Sequence, residues 1–380
     1  ENEPVEVLRV PAIQHFNGSD FSVRIALPFV IDQRIDHFAP DIIHSHHPFL
    51  LGDAALRESR KRELPLVFTH HTLYEKYTHY VPLDSDPLKR YIIRFSADYA
   101  NFCSLVVAPS ASIAQLVRKR GVHIPIAEVP TGADDLFFQP GDPEGFRKRH
   151  DIPPDIPLIG HVGRLAPEKN LHYLARAVAA YLQKDPKAFF MVIGEGPSRK
   201  DIQETFRKAG MGNRIRLPGK KAGDDLRDAY HAMDLFAFAS KSETQGMVLA
   251  EAMAARTPVI ALDASGVREV VRDGKNGRLL SENATEEAFA EAIALGLEDR
   301  EMLETWRSEA GKTAKAFSRQ SCAQKLLEAY KQAISNHKRP AANADGGLIH
   351  WDRLLSRVRV EWDLVSKKVS AAVEAVVGED

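Results

Sequence analysis

Short apolar runs alternate with longer amphipathic stretches along most of the chain. In the first part these runs lie near residues 41–46, 66–71 and 105–110. The runs are continuous rather than alternating with polar residues, which is typical of parallel strands covered on both faces. The stretches between them have helical periodicity. The pattern therefore predicts a βαβ order and a Rossmann-like α/β domain.

A second series of apolar runs follows a segment rich in Gly, Pro and Asp at residues 129–145, which we interpret as an interdomain linker. The later runs occupy residues 157–164, 189–194, 215–219, 235–238 and 258–262. A helical pattern follows each of them, so a second doubly wound domain is predicted. We expect domains at 1–145 and 146–347, followed by a helical tail at 348–380 that contains Trp351 and Trp362.

Composition excludes several function classes. The 380 residues include 51 Lys and Arg against 52 Asp and Glu, so the chain carries no overall field that would attract nucleic acid. Its two cysteines, Cys103 and Cys322, lack the spacing of a metal site and favour a reducing, cytoplasmic setting. No apolar run is long enough to span a bilayer, and we expect no signal peptide.

Two glutamates give the strongest functional signal. Glu243 and Glu251 are separated by seven residues, the first in a loop and the second on a predicted helix at 246–256. The free amides at the start of this helix form an anion site suited to a diphosphate. Each carboxylate can accept hydrogen bonds from neighbouring hydroxyls, so the arrangement fits a sugar at one end and a ribose at the other. The amides concerned belong to Gln245, Gly246, Met247 and Val248.

This segment resembles the Glu-x7-Glu signature of the retaining glycosyltransferases of family four, also called group 1. The resemblance implies a GT-B fold, in which two Rossmann-like doubly wound domains face a central cleft, the first binding the acceptor and the second the nucleotide sugar. The family usually opens with a strand, a glycine loop and a helix, whereas this sequence begins at what resembles the end of that region. We therefore expect that first strand and loop to be missing. The resemblance also implies that the tail packs back on the first domain.

A basic loop after the first strand of the second domain resembles the family's Gly-Arg-x4-Lys motif. It contains Gly163, Arg164 and Lys169. Together the two cations could neutralise a diphosphate leaving group. Gly194, in a turn after the next strand, resembles the family's turn under the nucleotide. Gly219, after the strand that follows, resembles the segment whose backbone receives the base, and a plain turn accounts for it equally well. Neither glycine forms a complete Gly-x-Gly-x-x-Gly, so a nicotinamide or flavin cofactor is not supported.

Five histidines lie at two predicted strand ends of the first domain: His44, His46, His47, His70 and His71. A zinc site is an alternative, but convincing ligand spacing is absent and GT-B transferases require no metal. The resemblance assigns His71 to the reaction centre and His46 to the acceptor side, while we expect His44 to face the opposite side of its strand. Asp84 and Asp86 imitate a metal motif, and we interpret Asp86 as a helix N-cap instead.

The segment 68–82 resembles bacterial transferases that glucosylate diacylglycerol, and it places Tyr74 and Tyr77 on the acceptor side. The resulting hypothesis is a retaining hexosyltransferase that requires neither a metal nor a cofactor. Its expected donor is a nucleoside diphosphate sugar, with UDP-glucose as the first candidate, and its expected acceptor is a small molecule or a lipid. Peripheral contact with the cytoplasmic membrane face is then expected. The alternatives are a GT-B phosphorylase or epimerase, a non-catalytic nucleotide-sugar binding protein, and a lipid-surface scaffold.

Overall fold

The computed structural model describes residues 5–13, 23–24, 28–76, 85–337 and 367–368. The chain divides into two compact units, one of residues Glu1–Val129 with Lys325–Asp380 and one of Pro130–Gln324. Both units are α/β structures built on parallel sheets. The α/β class predicted from the alternating apolar runs is confirmed.

The first unit contains a four-stranded parallel sheet in the order β3-β4-β5-β6, with a separate antiparallel pair, β1-β2. Its elements up to the division point are β1 (Ala12–Ile13), β2 (Val23–Arg24), α1 (Pro28–Phe38), β3 (Ile43–Ser45), α2 (Leu51–Arg62), β4 (Leu66–Thr69), α3 (Asp86–Asn101), β5 (Leu105–Ala108), α4 (Ala111–Lys119) and β6 (Ile126–Glu128).

The second unit contains a six-stranded parallel sheet in the order β12-β11-β10-β7-β8-β9. From here to the end of the described helices, the chain forms α5 (Pro143–Arg149), β7 (Leu158–Val162), α6 (Leu171–Lys184), β8 (Phe189–Ile193), α7 (Arg199–Lys208), β9 (Ile215–Gly219), α8 (Gly223–Ala232), β10 (Leu235–Phe238), α9 (Met247–Ala254), β11 (Val259–Leu262), β12 (Gly277–Leu280), α10 (Glu286–Glu298), α11 (Arg300–Lys315) and α12 (Arg319–Asn336).

The strand order reverses between β7 and β10, which are hydrogen-bonded neighbours. In an open parallel sheet, the crevice at the carboxyl ends of the two strands beside such a reversal is where ligands bind. The loop that begins at Gly163 follows β7, and the loop that leads to Glu251 follows β10. The topology alone therefore brings the two predicted donor loops to one place.

Apolar side chains fill both faces of each sheet. In β7, Leu158 packs into one core cluster of the second unit and Ile159 into the other. In β4, Phe68 packs into the larger cluster of the first unit, while Val67 packs with Ala329 of α12. Because every position of these strands is buried, alternation with polar residues is absent, as expected for parallel strands.

The observed division falls at the first residue of the predicted linker at 129–145, not at its end. Residues 130–145, which the prediction places in the first domain, therefore belong to the second unit. The physical reason is that this segment bonds to the second unit: the Thr131 amide donates to Oε1 of Gln245 at 2.6 Å, and the Asp142 amide donates to Oδ1 of Asp228 at 3.0 Å. The second division point falls inside α12, at residue 324.

Most of the predicted tail, including Trp351 and Trp362, lies outside the described residues. Within the first unit, Nζ of Lys368 lies 2.7 Å from Oδ2 of Asp53, and Nζ of Lys367 lies 3.5 Å from Oδ1 of Asp98. A search of the described part of the chain finds no helix that is both long and apolar enough to cross a membrane.

Candidate functional site

Three side-chain contacts join the loops that follow β7 and β10. Asn170 donates to the carbonyl oxygen of Ala239 at 3.2 Å, and the hydroxyl of Ser242 donates to the carbonyl oxygen of Glu168 at 3.1 Å. The third contact is an ion pair between Lys169 and Glu243, with 2.6 Å between Nζ and Oε1. The two predicted catalytic segments thus meet at the crevice that the strand order predicts.

The two cations of the first loop differ in exposure. Lys169 and Glu243 each keep 16% of the side chain exposed, whereas the Arg164 side chain is 44% exposed. Arg164 pairs with Glu168, four residues further along the chain. Both cations therefore have carboxylate partners, and an entering diphosphate would exchange these contacts for phosphate oxygens of the same charge.

Glycine allows the neighbouring loops to approach closely. Gly194 follows β8 with a φ of 140°, and a Cβ there would lie 1.9 Å from the carbonyl oxygen of Gly163. The Gly194 amide in turn donates to the carbonyl oxygen of Gly219, which ends β9 with a φ of 82°. The loops after β7, β8 and β9 are thus linked side by side. A side chain at Gly194 would clash with the Gly163 backbone, and one at Gly219 would be strained by the positive φ.

Helix α9 begins within the site. Gly246 is its N-cap residue, with a φ of 66° and no side-chain capping bond. The amides of Met247 and Val248 lie in the first turn, where an α-helix offers no intrahelical acceptor. These amides and the positive end of the helix dipole are suited to an anion. The observed helix is shorter than the predicted 246–256, but it places Glu251 in the second turn as expected.

The side chain of Gln245 is buried and does not face an open anion site. Its Oε1 accepts from the Thr131 amide at 2.6 Å, and its Nε2 donates to the Thr131 carbonyl oxygen at 2.7 Å. This two-point contact fixes the loop between Glu243 and the start of α9. A donor-binding role of Gln245 through its backbone remains a prediction, while its side chain holds the loop.

Glu251 projects from α9 and is half-buried. Burial raises its pKa, and the nearby Asp134 carboxylate also raises it, while a hydrogen bond from Tyr230 acts in the opposite direction. The Tyr230 hydroxyl on α8 donates to Oε2 of Glu251 at 2.8 Å. Tyr230 could not be predicted from local sequence, because it lies 21 residues before Glu251 in a different helix and carries no local signal.

One buried histidine lies under the same crevice. His161 in β7 is 1% exposed, and its Nδ1 lies 3.0 Å from the carbonyl oxygen of Ala237. Because a carbonyl only accepts, Nδ1 carries the proton. Its Nε2 is buried, and no described residue lies within hydrogen-bond distance of it. Burial lowers the pKa of His161 to about 4, so the ring is neutral at neutral pH.

In the first unit, His46 and His71 form a pair. Nδ1 of His46 lies 2.7 Å from Nε2 of His71, and the rings stack with centroids 5.0 Å apart. Burial lowers both pKa values, and the His46 charge helps to lower that of His71 to about 4. Both rings are therefore neutral at neutral pH, and one of them donates its N–H to the unprotonated nitrogen of the other.

The prediction for His44 is wrong. Its ring centroid lies 4.1 Å from that of His46, so both rings lie on the same side of the chain. The reason is elementary, since residues two positions apart on a strand share a face. His44 bonds the hydroxyls of Thr69 and Tyr330, each at 2.6 Å, and this polar contact explains its half-buried setting.

Tyr74 lies in an aromatic group, with its ring centroid 5.4 Å from that of His47 and 5.5 Å from that of Phe49. Its buried hydroxyl has no hydrogen-bond partner among the described residues. The predicted partner Tyr77 lies outside the described residues. The acceptor-side roles of His46, Tyr74 and Tyr77 remain predictions.

Asp84 also lies outside the described residues. The N-cap prediction for Asp86 is wrong, because Ser85 holds that position and its hydroxyl accepts from the Leu88 amide at 3.4 Å. Asp86 instead pairs with Lys89 at 3.4 Å. Across the described ranges, no group of three or more His, Cys, Asp or Glu side chains could hold a metal ion.

Comparison with known proteins adds an independent line of evidence. The family described as "Glycosyl transferases group 1" matches residues 142–313, and "Glycosyltransferase Family 4" matches residues 1–135. The D-inositol 3-phosphate glycosyltransferase of Nocardia farcinica is 33% identical over 308 residues, which cover 77% of this chain and 67% of the relative. The α-monoglucosyldiacylglycerol synthase of Streptococcus pneumoniae is 27% identical over 73% of this chain and 64% of its own length.

Among solved structures, Anabaena HepE in complex with UDP-glucose superimposes with a TM-score of 0.68 and 25% identity, covering 80% of this chain and 82% of HepE. The sequence matches, the parallel sheets and the two donor loops agree with one another. The chain therefore belongs to the group 1 glycosyltransferases of family four, has their GT-B fold, and is an enzyme that acts on nucleotide sugars.

Proposed function

We propose that the chain is a retaining hexosyltransferase that moves glucose from UDP-glucose to an acceptor hydroxyl. One observation carries the donor half of this proposal, namely the Lys169–Glu243 pair beside the first turn of α9 at the strand-order reversal. A cation, a carboxylate and free amides at one edge match the needs of a diphosphate joined to a sugar.

Each residue has a distinct role in this proposal. Arg164, Lys169 and the α9 amides stabilise the charge that grows on the diphosphate as the glycosidic bond breaks. Glu243 accepts hydrogen bonds from sugar hydroxyls, and Glu251 accepts them from the ribose. The incoming acceptor oxygen bonds to the anomeric carbon on the face that the diphosphate leaves, and its proton passes to the departing phosphate oxygen.

The neutral His46–His71 pair completes the proposal, with His71 at the reaction centre and His46 on the acceptor side. A neutral imidazole can donate a hydrogen bond to a sugar hydroxyl or accept one from it. Either contact adds no positive charge near an oxocarbenium-like centre. The low pKa of His71 supports this use, because the ring stays uncharged through the physiological range.

A lipid acceptor is the second part of the proposal. Its support is the resemblance of residues 68–82 to diacylglycerol glucosyltransferases, together with the pneumococcal relative, whose name states a glucosyldiacylglycerol product.

The donor base and sugar can be tested by thermal stability in the presence of UDP, GDP and ADP and their hexose derivatives. A ligand at a hundred times its Kd stabilises the folded protein by about 2.7 kcal/mol, so the true donor should stand out. Incubation of the best donor with and without dioleoylglycerol in detergent then separates the reaction classes. Acceptor-dependent release of UDP supports transfer, whereas a changed sugar without acceptor would indicate an epimerase.

A further inference from the structure

Tyr230 and Glu251 form a hydrogen bond between two helices of the second unit. The Tyr230 hydroxyl on α8 lies 2.8 Å from Oε2 of Glu251 on α9. The phenol is the donor, because burial and the adjacent carboxylate raise its pKa well above the ordinary value and keep it protonated. One oxygen of the carboxylate is thereby held in a fixed direction.

The position of Tyr230 is itself fixed. Its side chain is fully buried, with its ring edge-on to Phe137 at 5.5 Å and tilted against Phe236 at 5.9 Å between centroids. Its backbone carbonyl accepts from the hydroxyl of Thr257 at 2.7 Å. Because ring and backbone are both held, the hydroxyl cannot follow a carboxylate that rotates away.

Glu251 needs such support, because its surroundings oppose the charged form. Burial disfavours the carboxylate, and Asp134, which pairs with Arg319 at 2.6 Å, adds a like charge. A carboxyl group that protonated or rotated would lose part of its capacity to accept hydrogen bonds. The Tyr230 hydroxyl counteracts both changes.

We propose that Tyr230 is a positioning residue for nucleotide binding: its hydroxyl holds the Glu251 carboxylate oriented toward the ribose diol of the donor. This inference rests on the proposed role of Glu251 in ribose binding. It predicts a specific kinetic pattern, because a ribose contact exists in both the ground state and the transition state. Loss of the hydroxyl should raise the KM for the donor and leave kcat unchanged.

The test is Tyr230→Phe, which removes the hydroxyl and keeps the ring in its aromatic setting. Calorimetry with free UDP at neutral pH should show an affinity about tenfold lower, in line with a hydrogen bond to a charged group. Tyr181→Phe is the matched control. Tyr181 is also buried in this unit, and its hydroxyl donates to a carboxylate, Oδ2 of Asp185, at 3.0 Å. Removal of the Tyr181 hydroxyl should lower thermal stability about as much as Tyr230→Phe does, but it should leave the affinity for UDP within twofold of wild type.

A double-mutant cycle separates positioning from general structural support. In the Glu251→Gln background, Tyr230→Phe should weaken UDP binding by less than twofold, because no carboxylate remains to position. An equal tenfold loss in both backgrounds would overturn the proposal, as would wild-type affinity in Tyr230→Phe or a fall in kcat at constant KM.

The cycle also distinguishes this inference from the proposed function on which it rests. If Glu251→Gln itself binds UDP like wild type, the ribose role of Glu251 is wrong. If Glu251→Gln binds UDP weakly while Tyr230→Phe binds it normally, only the positioning role of Tyr230 is wrong. Thermal unfolding of each variant shows that the compared proteins are folded.

Discussion

Nζ of Lys169 lies 2.6 Å from Oε1 of Glu243, which places a cation from the loop after β7 against a carboxylate from the loop after β10. The two residues are 74 positions apart in sequence and meet only because β7 and β10 are neighbours at the reversal of strand order. In the proposed function, this pair forms the floor of the donor site.

Lys169→Ala and Arg164→Ala should each reduce turnover by about ten- to a hundredfold, with a smaller effect on donor affinity. The reason is that charge on the diphosphate grows as the bond breaks, and a charge-assisted contact contributes roughly 1.5–3 kcal/mol. Lys208→Ala and Arg207→Ala are controls, since these side chains are 72% and 71% exposed on α7. Initial rates at saturating donor decide, and activity within twofold of wild type would remove the tested cation from the site.

Substitution of the two glutamates should affect different ligands. Glu251→Ala is expected to weaken binding of free UDP and of UDP-glucose alike, because a ribose contact is present in both. Glu243→Ala should leave UDP affinity nearly unchanged and impair binding or use of the intact sugar donor. Calorimetry with both ligands tests this assignment, and equal losses of UDP affinity in both variants would count against it.

Transfer should proceed after treatment with EDTA and gain nothing from manganese, because cationic side chains and helix amides supply the charge stabilisation. Asp86→Ala, which removes the carboxylate paired with Lys89, should keep full activity under the same conditions. Loss of activity on chelation with recovery on adding manganese would require a metal role for the acidic loop.

Stability should fall as the pH drops from about 6.5 toward 4, partly through His161. The pKa of His161 is about 4 in the folded protein, whereas an ordinary histidine has a pKa of 6.5. As the pH falls through this interval, the unfolded chain takes up the proton first, which stabilises the unfolded state relative to the folded one. By pH 5 the difference amounts to about 2 kcal/mol for one such group.

His161→Phe should therefore lose less stability between pH 7 and pH 5 than wild type, because it removes a titrating group, whatever its stability at pH 7. His172→Gln, a change at an exposed position of α6, is the control. Urea unfolding at the two pH values provides the comparison. An unchanged difference between the pH values in His161→Phe would show that this ring does not titrate as described.

Much of the fold follows from local sequence signals. Continuous apolar runs identified the buried strands of both units, and the loop–helix pattern around Gly246 placed Glu243 and Glu251 correctly on loop and helix. The resemblance to the family supplied the order of the donor motifs. These signals are local, so one sequence is sufficient to read them.

The remaining features depend on tertiary contacts. Tyr230 meets Glu251 only after α8 and α9 pack, and the unit boundary at residue 129 depends on where residues 130–149 dock, not on their loop-like composition. His44 is different, because local sequence is sufficient to place it. The two-residue periodicity of a strand puts residues 44 and 46 on the same face, as the structure shows.

The anomeric configuration of the product tests the central claim most directly. UDP-glucose is incubated with the enzyme and dioleoylglycerol in detergent micelles, with inositol phosphate as the soluble alternative acceptor, and proton NMR reads the new glycosidic linkage. We expect an α-glucosyl lipid, matching the α linkage of the donor, and little product on the soluble acceptor. A β-linked product would contradict retention, and product on the soluble acceptor alone would contradict the lipid assignment.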